Sequence, residues 1–175
     1  MTYADPNAVF DIVNLAGGRI VGRTRLQKCT CGLELTGLGY GFSFSYKHFG
    51  PYSEDLKIAC NDADALGLVR EQRKTATWGG EYSAFVAAAA IDAKSDQKKR
   101  PARELLLQIM ASADPIALEL AITAAYLAAK GVRNPWSEVE ERKQEKATPN
   151  AVKSAKKLYR EMQSVRTPTP LPDIL

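Results

Sequence analysis

Two adjoining stretches in the first half of the chain decide the fold. The first, GRTRLQKCTCGLEL, covers residues 22–35, and the second, YGFSFSYKHFGPYSEDLKIACNDADALGLV, covers residues 40–69. In the first, Thr24 stands three residues before Gln27, the spacing of a capping box, which predicts a helix over residues 25–35. In the second, aromatic residues alternate with small or polar ones over residues 40–49, which predicts a half-buried strand.

A further helix and a hairpin are predicted after this aromatic segment. Gly50 and Pro51 end the segment, and Ser53 is placed as the N-cap of the next helix. The apolar face of that helix repeats every three or four residues and consists of Leu56, Ala59, Cys60, Ala63 and Leu66. Gly67 follows its end. Residues 68–72 and 82–87 are then predicted as two strands of a hairpin whose loop contains Gly79 and Gly80.

The order of these elements predicts the fold class. Asp5 and Pro6 mark the start of a first helix, and Gly17 ends it, so three helices precede the hairpin. This order predicts a winged helix-turn-helix-like domain over residues 1–90, in a protein that is mainly α with a small β-hairpin.

The rest of the chain is predicted to be a helical extension. Residues 91–103 contain AKSDQKKRPAR and are predicted as a linker or loop. Residues 104–165 are predicted as a C-terminal helical region, in which Asp114, Asn134 and Thr148 each precede a proline at a helix start. Residues 166–175 contain three prolines and are predicted as a flexible tail.

Composition and charge restrict the location and the partners. The 175 residues are 45% hydrophobic and 25% charged, as in ordinary globular proteins. The longest apolar run is about 14 residues, too short to span a membrane, and the N-terminus lacks the features of an export signal. We therefore expect a cytoplasmic protein without a membrane partner. Lys and Arg balance Asp and Glu over residues 1–90, so the net charge of +4 lies in residues 91–175.

No catalytic, metal or cofactor site is predicted. The phosphate-binding loop, nucleophile elbow, zinc-protease motif and dinucleotide-binding motif are all missing from the sequence. Cys29 and Cys31 form a single C-x-C pair, and the only histidine is His48, so these two cysteines and Cys60 are interpreted as small buried thiols. His48 is interpreted as a structural residue, because a general base needs partners within reach.

The charge of the predicted third helix argues against its insertion into a DNA groove. The charged residues of this helix are four acidic ones and one basic one, Lys57, which gives a net charge of about −3; the acidic residues are Glu54, Asp55, Asp62 and Asp64. DNA affinity depends on neutralising phosphates, so the DNA backbone would repel this helix. Two basic clusters elsewhere could contact phosphates without this helix, although solvated surface charge explains them equally well. They consist of Arg19, Arg23, Arg25 and Lys28, and of Arg70, Arg73 and Lys74.

The same helix and its aromatic neighbours are instead candidates for binding a partner protein. The candidate residues are Tyr52, Glu54, Asp55, Asp62 and Trp78. Trp78 and Trp136 are large apolar residues in polar surroundings, so each is either tucked into the core or exposed as an interface anchor.

The segments GRTRLQK, HFGPYSEDL and LGLV resemble the YwgA-like family of uncharacterised, often phage-associated bacterial and archaeal proteins. In that family a T-x-L-Q-K helix precedes an aromatic stretch, a Y/F-G-P-Y-S-E-x-L turn and helix, and a G-L-[IV] strand. The resemblance covers most of residues 8–162, including LELAITAAYLAAKG, and departs at residues 29–31, where larger side chains are expected. More remotely, the L-Q-K and G-P arrangement is similar to Panacea-type (SocA-like) antitoxin domains.

The resemblance implies a winged-helix-like domain with a helical extension and a role in regulation or in conflict with mobile elements. The family has no established catalytic residues. Our first hypothesis is therefore a non-enzymatic regulatory or adaptor protein that binds a partner protein, in a phage-defence or toxin–antitoxin context. The alternative is a DNA-binding winged-helix transcriptional regulator, and an unrecognised nuclease or hydrolase ranks below both. The sequence is compatible with a homodimer.

Overall fold

A computed structural model describes residues 4–89 and 96–175. The protein is mainly α with a β component, and about half of the chain is helical. The helices are α1 Pro6–Leu15, α2 Arg23–Leu35, α3 Glu54–Ala65, α4 Arg100–Ser112, α5 Pro115–Ala129, α6 Pro135–Arg142 and α7 Pro149–Gln163. The strands are β1 Arg19–Val21, β2 Ser45–Lys47, β3 Gly50–Tyr52, β4 Val69–Thr75 and β5 Glu81–Ala87.

Four predicted helix starts are confirmed. In each, the capping side chain accepts a hydrogen bond from a backbone N–H of the first turn; the capping residues are Asp5, Ser53, Asp114 and Thr148. Gly67 follows α3 with a φ of 72°, a left-handed conformation that suits glycine. Local capping chemistry therefore fixes most of the helix boundaries.

The capping box predicted at Thr24 is wrong. Helix α2 begins at Arg23, after Gly22, and its N-cap makes no side-chain hydrogen bond. Gln27, the other half of the predicted box, hydrogen-bonds Ser53 instead. A contact distant in sequence has thus replaced the local one.

The three-stranded antiparallel sheet has the strand order β1-β5-β4. The predicted hairpin strands are present and slightly longer, but β1 is absent from the predictions because three residues are too few to show a period. Ile20 of β1 pairs with Phe85, and both are buried beneath the helices. Arg19 pairs with Val86, which also pairs with Arg70, so these three residues share the opposite face of the sheet.

The aromatic segment forms a strand over only part of its predicted length. Strand β2 pairs with β3, but residues 40–44 belong to no strand. The carboxylate of Glu34 accepts hydrogen bonds from the backbone N–H groups of Tyr40, Gly41 and Phe42 at 2.8, 3.0 and 3.0 Å. This carboxylate satisfies the donors that a neighbouring strand would otherwise bind.

Helix α5 is the central helix, as its Ala-rich sequence predicts. Its residues 117–127 are all buried, and it packs against α2, α6, α7 and β3. Helix α2 also contacts α4, so the two predicted regions of the chain share one hydrophobic core. The division into two regions stays a prediction. Residues 100–103, predicted as part of the linker, begin α4, whereas residues 90–95 lie outside the described part of the chain.

The C-terminal segment packs against the folded core. Residues 166–175 contain no helix or strand, but Leu171 is buried. The amide of Thr169 donates to the carbonyl oxygen of Thr36 at 3.0 Å, and the Tyr159 hydroxyl donates to the Pro172 carbonyl oxygen at 2.7 Å. The segment predicted as a flexible tail therefore has specific attachments to α2 and α7.

Candidate functional site

Two consecutive residues of α2 hold the turn that leads into α3. The side-chain amide of Gln27 donates to the carbonyl oxygen of Ser53 and its oxygen accepts from the Ser53 amide, both at 2.9 Å. The Lys28 ammonium donates to the carbonyl oxygen of Pro51 at 2.7 Å. Gln27, Lys28 and Ser53 are all buried. These contacts give the LQK and GPYS motifs a shared structural role, which is to fix the β2–β3 hairpin beside α3.

A buried cluster of charges lies beneath this hairpin. The Glu119 carboxylate accepts hydrogen bonds from the ammonium groups of Lys143 and Lys146 at 2.7 and 2.8 Å. Burial disfavours ionisation of Glu119, but the hydrogen bonds from both lysines outweigh this effect and lower its pKa. Burial lowers the pKa of the nearby Lys28 from 10.5 to about 8. One carboxylate thus balances part of the positive charge of three lysines.

Gly50 closes the hairpin over this cluster. Its φ is 89°, a conformation that L side chains rarely adopt. A Cβ atom at this position would lie 2.9 Å from Oγ1 of Thr123 and 3.6 Å from the Nζ atoms of Lys28 and Lys143. Only glycine lets the hairpin approach α5 this closely.

A cavity of about 340 Å³ opens between α2, α3, the β2–β3 hairpin and the sheet. We call it the α3 cavity. Its apolar wall is formed by Leu26, Leu56 and Phe85, which are buried core residues. Its rim includes Phe49, whose side chain is 60% exposed. The other lining residues are Arg23, Thr24, Gln27, Lys28, Tyr52, Lys57, Cys60, Asn61, Glu71 and Arg73.

The charged groups at the α3 cavity are predominantly cationic. Glu71 accepts hydrogen bonds from the Arg23 guanidinium at 2.7 Å and from the Ser83 hydroxyl at 2.7 Å, so its charge is largely satisfied. Lys57 and Arg73 line the cavity and form no ion pair with any residue in the described ranges. The cavity therefore combines an apolar wall with a positively charged rim.

The acidic residues of α3 are not gathered on its cavity side. The Glu54 carboxylate pairs with the Lys47 ammonium at 2.5 Å, and this hydrogen bond lowers the pKa of Glu54. Asp64 accepts a hydrogen bond from the backbone amide of Glu71 at 3.0 Å. Asp55 and Asp62 are seven positions apart and so share a face of the helix, well away from Lys57. The net negative charge of α3 is thus concentrated on this second face.

Of three further large apolar side chains, one on α3 and one in the β4–β5 turn are exposed, whereas a third is buried. Ile58 of α3 is 51% exposed and does not line the cavity. Trp78 is 80% exposed in the turn between β4 and β5 and does not line the cavity. Trp136 is buried and packs edge-on against Tyr159, with ring centroids 6.0 Å apart. The two tryptophans therefore adopt the two alternatives that the sequence left open.

The predicted nucleic-acid residues do not form the two clusters that their spacing suggests. Lys28 is 2% exposed and was wrongly placed at the surface, because it is needed to hold the hairpin. The Arg25 guanidinium donates to the carbonyl oxygens of Ala111 and Ala113 and so is committed to the end of α4.

The other basic residues divide between the two faces of the sheet. Arg23 and Arg73 line the α3 cavity. Arg19 and Arg70 lie on the opposite face, where Lys74 is also in phase with Arg70. The alternation of side chains along β4 was a signal in the sequence that Arg70 and Lys74 lie on one face of the sheet and Arg73 on the other. No signal showed that Arg19 belongs to a strand, because β1 has only three residues.

The three cysteine thiols and the histidine lie in different environments. Burial raises the pKa of Cys29, Cys31 and Cys60 to about 12, so all three thiols stay protonated near neutral pH. His48 is exposed and packs edge-on against Phe49, with ring centroids 5.3 Å apart. Within the described ranges, no three His, Cys, Asp or Glu side chains converge as a metal site.

Sequence reasoning missed the α3 cavity, Phe49 at its rim and the exposed Ile58 elsewhere on α3. Phe49 breaks the alternation of the aromatic segment, since the aromatic rings before it occupy even-numbered positions. An aromatic residue out of phase at a strand end points away from the buried face, which is the signal that was available. The cavity itself has no such signal because four separate elements form it.

The architecture defines a mainly helical protein with a small antiparallel sheet. In residues 4–89 and 96–175, no helix has both the length and the apolar character needed to cross a membrane. Comparisons with models of protein families, with curated proteins and with solved structures found no match to the chain.

Proposed function

We propose that this chain is a non-enzymatic regulatory or adaptor protein that binds a partner protein on the surface formed by α3 and the β2–β3 hairpin. Two observations carry the proposal: Phe49 is 60% exposed at the rim of an apolar-walled cavity, and Ile58 is 51% exposed on α3 outside the cavity lining. Large apolar side chains around a pocket are typical anchors of protein interfaces. Asp55 and Asp62 add a negative face that selects partners by charge.

The element order supports a winged-helix-like arrangement of the first half of the chain. In this interpretation α3 is the recognition helix and the β4–β5 hairpin is the wing, with β1 completing the sheet. A helix-turn-helix joins its two helices by a turn of about three or four residues. Here residues 36–53 connect α2 to α3 and place the β2–β3 hairpin next to α3. An aromatic hairpin in this position favours contact with a protein over insertion into a DNA groove.

The biological context of the proposal rests on the YwgA-like and antitoxin-like resemblance. Phage defence and toxin–antitoxin regulation both use small proteins that bind a partner without catalysing a reaction on it. His48 forms no hydrogen bond with a residue in the described ranges, so no catalytic pair is assigned to it. A turnover screen that responded to His48→Ala would contradict the non-enzymatic assignment.

The proposal can be tested by quantitative affinity capture with matched serine variants. Ile58 and Leu105 are both 51% exposed and both lie on helices, but Leu105 is on α4. We expect Ile58→Ser and Phe49→Ser to release a partner that wild type and Leu105→Ser retain, and Asp55→Lys to weaken its capture. Identical partners at identical yields for all variants would remove the α3 surface from consideration.

DNA binding is the second candidate, and one observation favours it. Arg23 and Arg73 come from the two predicted basic clusters and line the same cavity, while Trp78 is exposed at the tip of the β4–β5 hairpin. With so few phosphate contacts, we expect weak binding to a labelled duplex that is lost by about 200 mM salt. Sub-micromolar binding at physiological salt, abolished by Arg73→Ala, would make the DNA-binding candidate the better one.

A further inference from the structure

We propose that the α3 cavity binds a small amphipathic anion, namely a carboxylate or sulfonate attached to an aromatic or branched apolar body. This site goes beyond partner binding and does not depend on it. The proposal is argued from the size of the cavity, the composition of its wall and the charges at its rim.

The size and wall of the cavity suit a small apolar body. Its volume of about 340 Å³ lies at the lower end of the range for small-molecule sites, about 300–1,000 Å³. Leu26, Leu56 and Phe85 provide the apolar wall, and Phe49 extends it at the rim. The Cys60 thiol also lines the cavity and adds no charge near neutral pH. A fused aromatic ring system would fill this space without burying a polar atom against the wall.

The rim supplies the charge selectivity. Arg73 and Lys57 are cations without an ion-pair partner in the described part of the chain, and they approach the cavity from the sheet and from α3. Among the described residues the only carboxylate in the lining is that of Glu71, whose Oε1 atom lies 2.6 Å from Nη2 of Arg23 and is neutralised by it. An anionic head group is therefore attracted by two cations that belong to different elements, Arg73 on β4 and Lys57 on α3.

The test uses the full-length protein and three probes of nearly equal shape and different charge. Naphthoate is the anion, naphthalenemethanol is the neutral analogue and naphthylmethylammonium is the cation. We expect saturable one-site binding of naphthoate by isothermal titration calorimetry, with a Kd on the order of 0.1–1 mM. The neutral probe should bind roughly tenfold more weakly, and the cation should show no saturable binding.

Two variants and a matched control locate the site. Arg73→Gln and Lys57→Gln should each weaken naphthoate binding by roughly five- to tenfold. Arg70→Gln is the control, because Arg70 lies on the same strand as Arg73 but on the opposite face of the sheet. Bound naphthoate should also slow alkylation of Cys60, which lines the cavity. Near-ultraviolet circular dichroism verifies that each variant remains folded.

Three results would overturn the proposal. The first is equal affinity for all three probes, and the second is an equal loss of affinity in Arg70→Gln and Arg73→Gln. The third is that an acetylated Glu-Trp-Glu amide binds more tightly than naphthoate and that Arg73→Gln weakens the binding of both. That result would assign the cavity to a segment of a partner protein. Ile58 is outside the lining, so Ile58→Ser should leave naphthoate binding intact even where it abolishes partner capture. The failure of one proposal is thereby distinguished from the failure of the other.

Discussion

The side chain of Gln27 hydrogen-bonds both backbone groups of Ser53, with its amide donating and its oxygen accepting, each at 2.9 Å. Because Ser53 is also the N-cap of α3, this pair ties α2 to the residue that caps the helix bordering the cavity. This side-chain amide therefore helps to fix the start of α3, together with the Lys28 contact to Pro51 and the packing of α3 against α1.

Replacing Gln27 by alanine should destabilise the protein by about 2–4 kcal/mol. The substitution leaves the buried N–H of Ser53 without a partner, which costs about 1–3 kcal/mol. It also removes one of the two hydrogen bonds to the Ser53 carbonyl oxygen, worth about 0.5–1.5 kcal/mol, while the bond from the Lys57 amide at 3.3 Å remains. Urea unfolding followed by circular dichroism measures the difference. Gln108→Ala is the control, since Gln108 is exposed on α4, and it should change stability by less than about 0.5 kcal/mol. Equal effects of the two substitutions would contradict the role assigned to Gln27.

Neutralising Glu119 should destabilise the protein far more than neutralising an exposed glutamate. Glu119→Gln leaves Lys143 buried without a counter-charge, and breaking a buried pair in this way costs about 3–5 kcal/mol. Glu138 pairs with Arg142 at the surface, so Glu138→Gln should cost less than about 1 kcal/mol. The midpoints of chemical denaturation compare the two. A loss in Glu119→Gln no greater than in Glu138→Gln would show that the buried cluster contributes nothing to stability.

The stability contributed by residue 28 should depend on pH. The pKa of Lys28 is about 8 in the folded protein and 10.5 by ordinary reference, so between these values the unfolded chain binds more protons. The free energy of unfolding of wild type, relative to that of Lys28→Met, should therefore rise as pH increases from about 8 to 10.5, by up to about 1.4 kcal/mol per pH unit. The added stability is lost again when the pH is lowered to 8 and below. The cysteines and tyrosines titrate in both proteins and cancel in the difference. A difference that stays constant from pH 7.5 to pH 10.5 would contradict the burial of this ammonium group.

Two glycines with positive φ should respond unequally to alanine. Gly50 and Gly67 have φ values of 89° and 72°, so a Cβ strains the backbone at both positions by about 1–2 kcal/mol. At Gly67 nothing lies within 4 Å of the added atom, whereas at Gly50 the Thr123 hydroxyl lies at 2.9 Å. We expect Gly50→Ala to cost about 1–3 kcal/mol more than Gly67→Ala, because α5 and the hairpin must separate. Thermal unfolding of the two variants measures the difference, and equal losses would mean that the hairpin is not closely packed on α5.

The sequence by itself determined the features that depend on neighbouring residues. Asp5, Ser53, Asp114 and Thr148 each cap a helix through a hydrogen bond spanning two or three residues, and that chemistry can be read from the chain. The apolar composition of α5 likewise predicted its central position, because a helix that is apolar on most sides is stable only when it is surrounded.

Only the tertiary structure decided where the charged and aromatic groups lie. Lys28 belongs by its spacing to a basic cluster but is buried beneath the hairpin, where its ammonium donates a hydrogen bond to the carbonyl oxygen of Pro51, 23 residues away. Arg23 and Arg73 are distant in sequence but line the same cavity. Arg23 begins α2 just after β1, Arg73 lies on β4, and β1 and β4 flank β5 in one sheet. Local patterns specify helix ends and buried faces, since these depend on neighbouring residues. A cavity between four elements depends on contacts between distant residues, and its position is set only when the chain has packed.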